Sequence, residues 1–567
     1  MVRAIRRHFV AILVVSALVS LVLGTAGFLA CHAANGFATA LYRSVQLFYW
    51  NYFPWNTALE AKIPWTLELA RWLAPLTTLG ALSRVAVALF HRRWDAFRAR
   101  HTRGHFVISG AGNKGATLAR ELRKSGSHAV VLIEQDEKRA EEIAAEGFLV
   151  IHGDATKAES LRQAGAPNAD KLVVVTGNDH DNLAIAMTAA HLGNGPISVH
   201  AHSSSASICD LYHRNHAMAA PLAGNPAIRF FNHFRNVARL TILNFPPESA
   251  GAEAHIVLPG LSHQAIAFAV EYALIGHFTG GRRIHLHIVG PMAGQALAAL
   301  RSNYPSIDRC AEIVAIDVQP TERFASLVAA LANQLPTKSR FTVFPGFAEN
   351  HEAFTCALDL VEKTHAHPDL RVLLPDSTSP SIRGMIEANP ALNGRIGFLP
   401  PMQATCGYEA IIGESLDRAA RKIHENWLAE TRLQIDNARA SGNEALARRH
   451  EAKATFIPWD DLNEEQKCAN RSQADHIPFK IRAAGLDPKT VTPREWRLLS
   501  PSQIEPLARM EHARWAAYYW MTGWTFDPMR DDERKRHPNL VAYDELDEPT
   551  KDYDRIAVRN LGQHLST

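Results

Sequence analysis

Three glycines stand at a spacing that suits the binding of a phosphate group. They lie in the run Gly110-Ala-Gly112-Asn-Lys-Gly115, after the apolar segment 105–109 and before the helix-forming segment ATLARELRKSG. Glycine permits a tight turn and a close approach of the backbone, and the N–H groups at a helix start attract an anion. The pattern therefore predicts a phosphate site at the turn. Its candidate residues are Gly110, Gly112, Asn113, Lys114 and Gly115.

Acidic and hydroxyl side chains follow the next predicted strands. The strand 129–133 ends at Glu134, 19 residues after Gly115. In dinucleotide-binding units an acid at this place accepts hydrogen bonds from the ribose. Asp154 and Thr176 come at the ends of two further apolar strands, and ligands bind where parallel strands end. Helix capping is the alternative role of Asp154 and of Asp179.

The elements that position these residues alternate between strand and helix. This rhythm runs over 104–245 and predicts a parallel sheet with both faces covered. It recurs over 252–405, where the loop LPGLSHQA lacks two of the glycines and Gly290 stands where the acid is expected. We therefore predict a second, degenerate copy of the same fold, with a structural or dimerising role.

The first copy resembles the TrkA-N domain, also called the regulator-of-potassium-conductance (RCK) domain. The resemblance rests on HFVISGAGNKGATLARELRKSG, VVLIEQDE, HGDAT and VVVTGNDHDNLAIA. It implies a Rossmann-like domain that binds NAD(H) or ATP/ADP, without catalysis, to control potassium channels and transporters. It assigns the three glycines to the phosphates and Glu134 to the ribose. Asp154, Ala155 and Thr176 would line the adenosine. Tandem copies in this family form dimers or gating rings.

The N-terminal region has the composition of a membrane anchor. Residues 9–30 form an uncharged apolar run long enough to cross a bilayer, and a less apolar stretch covers 65–90. Arginines flank both outer ends, which predicts a hairpin with both termini in the cytoplasm of a bacterial inner membrane. Glu68 and Arg71 lie three residues apart and can pair, or they lie at a wet outer end of an interfacial helix. A cleaved signal peptide is disfavoured, because the apolar run is too long.

An aromatic-rich stretch, 36–55, connects the two predicted spans. It is apolar but too short to cross the bilayer. A re-entrant pore helix and a helix lying flat at the interface both remain open. The stretch contains no TVGYG-like string, so a potassium-type selectivity filter is not supported.

The last third of the chain has no strand–helix rhythm. Residues 407–454 predict a helical linker that breaks near Ser441-Gly442, and 455–567 are rich in aromatic side chains. Trp524, Lys535 and their neighbours suit an anionic or aromatic ligand, or else form an ion-pair network. This segment resembles the RyR repeat of ryanodine receptors, a module that also occurs in bacterial proteins. The resemblance implies that the module senses a small ligand. The residues that carry the resemblance to a ligand site are Glu511, which replaces the usual Asn, His512, Trp515, Trp524, Arg530, Asp531 and His537.

Composition excludes several other classes of protein. The chain has 567 residues, and 60 Lys+Arg against 57 Asp+Glu give a net charge of +3, which predicts no nucleic-acid partner. Six cysteines form no CxxC pair, so neither a disulfide framework nor a cysteine-built zinc site is expected. A dehydrogenase remains an alternative, but no motif places a proton donor beside the nucleotide.

Together these observations predict an α/β protein of four parts. A two-helix transmembrane hairpin, 1–103, precedes two tandem Rossmann-like doubly wound parallel-sheet domains, and a linker leads to an all-α RyR module. The function predicted is nucleotide-sensing regulation of ion transport, with potassium as the monovalent cation and a homo-oligomer (dimer or tetramer) enclosing the path. The alternative is a membrane-disrupting effector of a nucleotide signal, of the kind used in defence, without selective conduction.

Overall fold

The chain divides into two compact units, Met1–His101 and Thr102–Thr567, which are described separately. The structure is a computed structural model. It describes residues 2–30, 36–50, 63–126, 128–192, 197–205, 208–209, 212, 228–247, 253–318, 324–336, 339–345 and 350–565, with only the backbone at 2–10, 84–93 and 350–351.

The first unit is helical. Its helices are α1 (Val2–Ala30), α2 (Phe37–Gln46) and α3 (Trp65–His101), and a 3-10 turn, Leu47–Tyr49, follows α2. Small residues bring the helices together: a Cβ on Gly27 would lie 2.5 Å from the Cβ of Leu67, and the hydroxyls of Ser16 and Thr77 are 2.6 Å apart. Helix α1 therefore packs along α3.

One predicted span meets the length and apolarity of a transmembrane helix. Within the described residues this is Ala11–Ala30, with a mean hydropathy of 2.4. The second predicted span lies inside α3, which continues past residue 90 to His101. Glu68 and Arg71 pair on α3 at 3.1 Å, as their spacing predicts. The hairpin is thus shown in part, and the aromatic residues 52, 53 and 55 lie outside the described residues.

The first sheet of the second unit is parallel and six-stranded. Its strand order is β3-β2-β1-β4-β5-β6. The strands are β1 (Phe106–Ser109), β2 (Val130–Glu134), β3 (Leu149–His152), β4 (Lys171–Val174), β5 (Ser198–His202) and β6 (Ile228–Phe231). The helices are α4 (Asn113–Ser125), α5 (Glu137–Ala145), α6 (Ala158–Gln163), α7 (Asp179–Ala190) and α8 (His233–Asn244). The predicted Rossmann-like fold is confirmed, with β6 added through its pairing with β5.

The second sheet repeats this topology. Its order, β12-β11-β10-β7-β8-β9, matches the first sheet when each is numbered from its own first strand. The strands are β7 (Ala254–Pro259), β8 (Ile284–Gly290), β9 (Ala311–Asp317), β10 (Arg340–Val343), β11 (Leu370–Leu374) and β12 (Ile396–Phe398). The helices are α9 (His263–Ile275), α10 (Ala293–Asn303), α11 (Phe324–Gln334), α12 (Asn350–Lys363) and α13 (Pro380–Ala388). The sequence-based prediction of a second copy is confirmed.

The remaining chain is helical apart from one short ribbon. The helices are α14 (Met402–Cys406), α15 (Tyr408–Ile411), α16 (Arg418–Ala440), α17 (Glu444–Glu451), α18 (Glu464–Asp475), α19 (Ile477–Ala483), α20 (Pro493–Arg497), α21 (Pro501–Met521) and α22 (Glu548–Asn560). Strands β13 (Thr525–Phe526) and β14 (Arg536–His537) pair, so the all-α expectation for this module needs that correction. The Thr525 amide donates to the Lys535 carbonyl at 2.9 Å, which draws the loop back on itself.

The C-terminal helices share one hydrophobic core with the second sheet. Buried Phe268 and Tyr272 of α9 belong to the same cluster as Phe479, Trp496 and Met510. Because burial of apolar area is the main stabilising term in folding, this region and the second sheet support each other.

Candidate nucleotide site

The turn after β1 leaves no room for side chains at two of its glycines. Gly110 has φ +95°, and a Cβ there would lie 3.0 Å from the Val175 carbonyl oxygen. A Cβ on Gly115 would lie 1.9 Å from the Gly110 oxygen, far inside contact distance. Only glycine at both positions lets the strand turn this tightly into α4.

The third glycine leaves the start of α4 open. Gly112 is the N-cap residue with an ordinary φ of −62°, and no side chain among the described residues caps the helix there. A Cβ on Gly112 would meet no described atom within 4 Å. The first N–H groups of a helix carry a partial positive charge, so this end of α4 is suited to an anion.

Glu134 holds the turn from the neighbouring strand. Its Oε2 accepts a hydrogen bond from the Ala111 amide at 2.7 Å, and its Oε1 accepts from the Gln135 and Asp136 amides at 2.8 and 3.0 Å. The carboxylate therefore lies beside the glycine turn, where the fingerprint places it. Its role toward a ribose stays a prediction.

The predicted adenosine-side residues lie after β3 and β4. Asp154 Oδ1 accepts from the Thr156 hydroxyl at 2.6 Å and from its amide at 3.0 Å, and these bonds lower the pKa of Asp154. Ala155 is buried between them. The Thr176 hydroxyl and amide both donate to Asn182 Oδ1, at 2.6 and 2.9 Å. Asn182 was not predicted from the sequence, and its side chain holds Thr176 in place just after β4.

Capping was the alternative role predicted for Asp154 and Asp179, but neither is the N-cap residue of the helix that follows it. Asn178 caps α7, accepting from the His180 amide at 2.8 Å. Asp179 instead accepts from the amide and hydroxyl of Ser204, both at 2.7 Å. Burial opposes ionisation of Asp179, but hydrogen bonds from His202 and Ser204 outweigh it and lower its pKa. Asp179 thus ties α7 to the loop after β5.

Lys114 points across the carboxyl edge of the sheet. Its Nζ lies 3.3 Å from His202 Nε2 and 5.1 Å from the centre of the Phe234 ring. Burial is the main cause that lowers the pKa of Lys114, and Cys406 and Asp179 oppose it. The lysine lies within the glycine turn, between Gly112 and Gly115, so its ammonium is a cation near the predicted phosphate site. No sequence signal linked it to His202, which is 88 residues away.

The segment that follows the second sheet in the chain packs on α4 of the first sheet. This return segment consists of α14 and α15. Cys406 and Ile411 belong to the first sheet's core cluster. The Tyr408 amide donates to Glu121 Oε2 at 2.8 Å, which fixes the segment to α4. The helix whose N-terminus is the predicted phosphate site is therefore held by residues that follow the second sheet.

The equivalent turn of the second sheet is closed. Ser262 Oγ accepts from the Ala265 amide at 3.2 Å and caps α9. Ala265 stands where the first turn has Gly115, and Gly290 stands where it has Glu134. The helix start is occupied by its own side chain, which agrees with the predicted loss of phosphate binding.

An aromatic cluster forms in the C-terminal module. Trp515 lies 4.5 Å from Tyr519 and 5.0 Å from His537 between ring centres, and Tyr519 lies 4.9 Å from Trp524. His512 stacks on Trp515 at 5.5 Å. Burial, then the nearby Arg530, lowers the pKa of His537 to about 4. Sequence reasoning missed Tyr519, whose spacing of four from Trp515 was the available signal.

The charged candidates of this module separate into two groups. Arg530 lies near the cluster, 3.4 Å from His537 Nε2, and pairs with Asp532 at 2.7 Å. Asp531 is paired with the Arg536 backbone across the ribbon. Glu511 is buried elsewhere, with its carboxylate bound by Lys480 and Arg514. The structure thus brings His512, Trp515, Trp524, Arg530 and His537 together, while Glu511 lies in the core.

A buried ion network joins α8 to the C-terminal helices. Arg239 on α8 donates to Asp475 at 2.6 Å and to Asp417 at 2.8 Å. Arg471 donates to the other oxygen of Asp417 at 2.7 Å. Removing one member of such a buried set leaves an uncompensated charge, so the network stabilises the packing of α8 on these helices.

Comparison with known proteins agrees with the geometry of the first turn. Residues 106–220 match the model of the TrkA-N domain. This stretch resembles a TrkA-N domain and holds the glycine turn, Glu134, Asp154 and Thr176, so the resemblance found in the sequence is confirmed, while the ligand roles of these residues stay predictions. Residues 498–566 match the RyR domain, which contains the aromatic cluster.

The curated relatives match only a short part of the chain. The "Trk system potassium uptake protein TrkA homolog" of Pyrococcus abyssi is 40% identical over 89 residues, which are 16% of this chain and 39% of that protein. "Trk system potassium uptake protein TrkA" of Azorhizobium caulinodans is 35% identical over 91 residues, 15% of this chain and 20% of that protein. The chain therefore spans less than half the length of these relatives.

A solved structure titled "GsuK channel bound to NAD" overlaps more of the chain. It has 14% identity and a TM-score of 0.35, and the overlap covers 71% of this chain and 82% of that one. A structure titled "GsuK Channel" gives 15% identity and a TM-score of 0.35, covering 69% and 94%. Overlaps at this TM-score are too weak to imply a shared function.

Proposed function

We propose that this chain is a nucleotide-sensing regulator of potassium transport, and not an enzyme. The observation that carries the proposal is the turn Gly110–Gly115, which has no room for a side chain at Gly110 or Gly115 and which leaves the N-terminus of α4 open at Gly112. The names of the relatives support the process, because the proteins that match this domain are potassium uptake proteins. The ligand is NAD(H) or ATP/ADP, bound without reaction.

Each part of the nucleotide has a partner in this proposal. The first amides of α4 and the ammonium of Lys114 bind the phosphates. Glu134 accepts from the ribose while its remaining lone pairs hold the turn. Asp154, Ala155 and Thr176 line the adenosine. Oxygen, amide and ammonium groups of this kind suit the binding of a nucleotide without reaction.

The same helix couples the site to the rest of the second unit. Glu121 on α4 holds Tyr408, and the Arg239 network joins α8 to the C-terminal helices. A nucleotide that shifts α4 therefore changes the packing of the return segment. The aromatic cluster of the RyR domain is a second ligand site whose occupancy acts through Arg239. Either ligand regulates only if its affinity differs between two conformations.

The output of the regulator is at the membrane. The span Ala11–Ala30 anchors the chain, and α3 forms the second arm of a hairpin with both termini in the cytoplasm of a bacterial inner membrane. One hairpin cannot enclose a path for an ion, so a homo-oligomer, a dimer or a tetramer, is required. Only residues 102–105 separate α3 from β1, so this connection is too short to absorb a displacement of β1.

Titration of the full chain in detergent with NAD, NADH, ATP and ADP tests the nucleotide site. The variant Gly112→Asp places a carboxylate in open space at the start of α4. Aspartate is a favoured N-cap, so the fold is retained while an anionic ligand is repelled. We expect at least a 100-fold loss of affinity, about 2.7 kcal/mol.

Ser262→Asp is the matched control, because it exchanges one capping side chain for another in the second turn. It should leave nucleotide affinity unchanged. A native chain that binds none of the four nucleotides at millimolar concentration contradicts the proposal, as does a Gly112→Asp variant that binds as tightly as the native chain.

A second function is favoured by the aromatic cluster beside Arg530. In this alternative a ligand of the RyR domain triggers unselective membrane disruption, as in a defence response. Flux into liposomes separates the two functions. Nucleotide-dependent flux of potassium over larger ions supports the regulator, whereas dye leakage that is lost in Trp524→Ala supports the effector.

A further inference from the structure

Two histidines and a glutamate converge at the amino ends of the second sheet. His255 on β7 is paired in register with His285 on β8, and Glu253 precedes β7. One nitrogen of each ring and one carboxylate oxygen lie within 4.8 Å of one another. This edge is opposite the one that carries the closed turn, so the group belongs to neither predicted ligand site.

One buried nitrogen of this group lacks a hydrogen-bond partner within the described part of the chain. His255 is 2% exposed, and its Nδ1 lies 3.0 Å from Nε2 of His287. Its Nε2 is buried and has no hydrogen-bond partner among the described residues. The Nε2 atom lies 3.6 Å from Glu253 Oε2. With the shared proton on Nδ1, the lone pair of Nε2 is directed at the glutamate side.

A second carboxylate supports the other histidine. Glu312 on β9 is in register with His285, and its Oε2 lies 3.2 Å from His285 Nδ1. Histidines that bind a metal through one nitrogen commonly donate the other N–H to a carboxylate, which orients the ring. This contact leaves Nε2 of His285 for an ion.

We propose that Glu253, His255 and His285 bind a divalent cation of the zinc type. Two imidazoles and one carboxylate are a common ligand set for zinc and leave a fourth position for water. Tetrahedral bonds of about 2.0 Å place ligand atoms about 3.3 Å apart, so the group must contract on binding. The rings stack at 4.6 Å between centres, and partly exposed His285 and exposed Glu253 turn to meet the ion.

Zinc titration of the untagged full chain, stripped with a chelator and kept in detergent, tests the site. We expect one tightly bound zinc per chain by elemental analysis. His285→Gln should weaken binding at least 100-fold and Glu253→Gln about tenfold, and both side chains are exposed enough for the fold to persist. His365→Gln, an exposed histidine of the same domain, is the matched control and should bind as the native chain does.

Glu312→Gln tests the supporting contact. We expect a loss of affinity of about 10-fold with one zinc still bound, because the amide orients the ring less firmly. Cobalt provides a second measurement, since its visible spectrum reports a tetrahedral site and should disappear in His285→Gln. A native chain without zinc affinity, or zinc and cobalt binding unchanged in both His285→Gln and Glu253→Gln, overturns the proposal.

Discussion

The two turns of the second unit begin alike and end differently. The Gly110 amide donates to the Ile133 carbonyl at 2.9 Å, and the Gly260 amide donates to the Val289 carbonyl at 3.0 Å. Both strands therefore leave the sheet in the same way. The difference lies in the next five residues, where the first turn has Gly112 and Gly115 and the second has Ser262 and Ala265.

This difference shows how a fold can keep its topology and lose a site. In the second turn a serine hydroxyl satisfies the helix start, and Ala265 stands where the first turn has Gly115. In the first, α4 has no side-chain cap at Gly112. Because the two sheets have the same strand order, the difference between the turns lies in their side chains and not in the strands.

The largest effect should come from adding one methyl group to the first turn. Gly115→Ala forces a Cβ against the Gly110 oxygen, and overpacking of this kind costs about 3 kcal/mol. The reverse change in the second turn, Ala265→Gly, should cost only about 1 kcal/mol. Urea unfolding of the two variants measures the difference. Equal losses would mean that the two turns are equally tight.

A smaller effect should follow acidification. Burial first, then Arg229, lowers the pKa of His200 on β5 to about 3, while the strand register puts Leu373 at the equivalent position of β11. The unfolded chain binds the proton from about pH 6.5 downward, so stability falls as the pH drops from 7 to 5. For this one residue the loss is about 2 kcal/mol.

His200→Val should remove that part of the pH dependence, measured as the change in the urea midpoint between pH 7 and pH 5. The exposed His180→Gln is the control and should keep it. An unchanged pH dependence in His200→Val would show that the proton is taken up elsewhere.

Replacing the acid of the first turn should have a moderate effect. Glu134→Gln weakens the bonds from Ala111, Gln135 and Asp136, which should cost about 1.5 kcal/mol and lower nucleotide affinity about tenfold. The converse variant, Gly290→Glu, adds an acid to the second turn. It should create no nucleotide binding, because Ser262 still occupies the helix start. Binding by that turn in calorimetry would contradict the comparison.

The smallest effect concerns the cap itself. Ser262→Ala removes the bond to the Ala265 amide and should cost about 1 kcal/mol. Gly112→Ser supplies a side-chain cap to α4. It should stabilise the fold by a few tenths of a kcal/mol and weaken nucleotide binding. Thermal unfolding with and without ligand checks both. A Gly112→Ser variant that binds more tightly would contradict the role given to the open helix start.

Local pattern predicted most of the second unit. The alternation of apolar strands and helices is a short-range signal, and it located five strands of the first sheet and all six of the second. The strand β6 was missed because its four residues become a strand through pairing with β5. Tyr519 and Asn182 were missed because their importance comes from neighbours on other elements.

The amino-acid sequence by itself determined the glycine turn, the acid after β2, the apolar first span and the repeated sheet. Each depends on residues close together in the chain, where backbone freedom and periodicity act. Only the tertiary structure decided that Lys114 meets His202, that Glu511 is buried, and that His255 and His285 share one edge. Such contacts join residues distant in the chain, and strand order and packing, which no local pattern contains, bring them together.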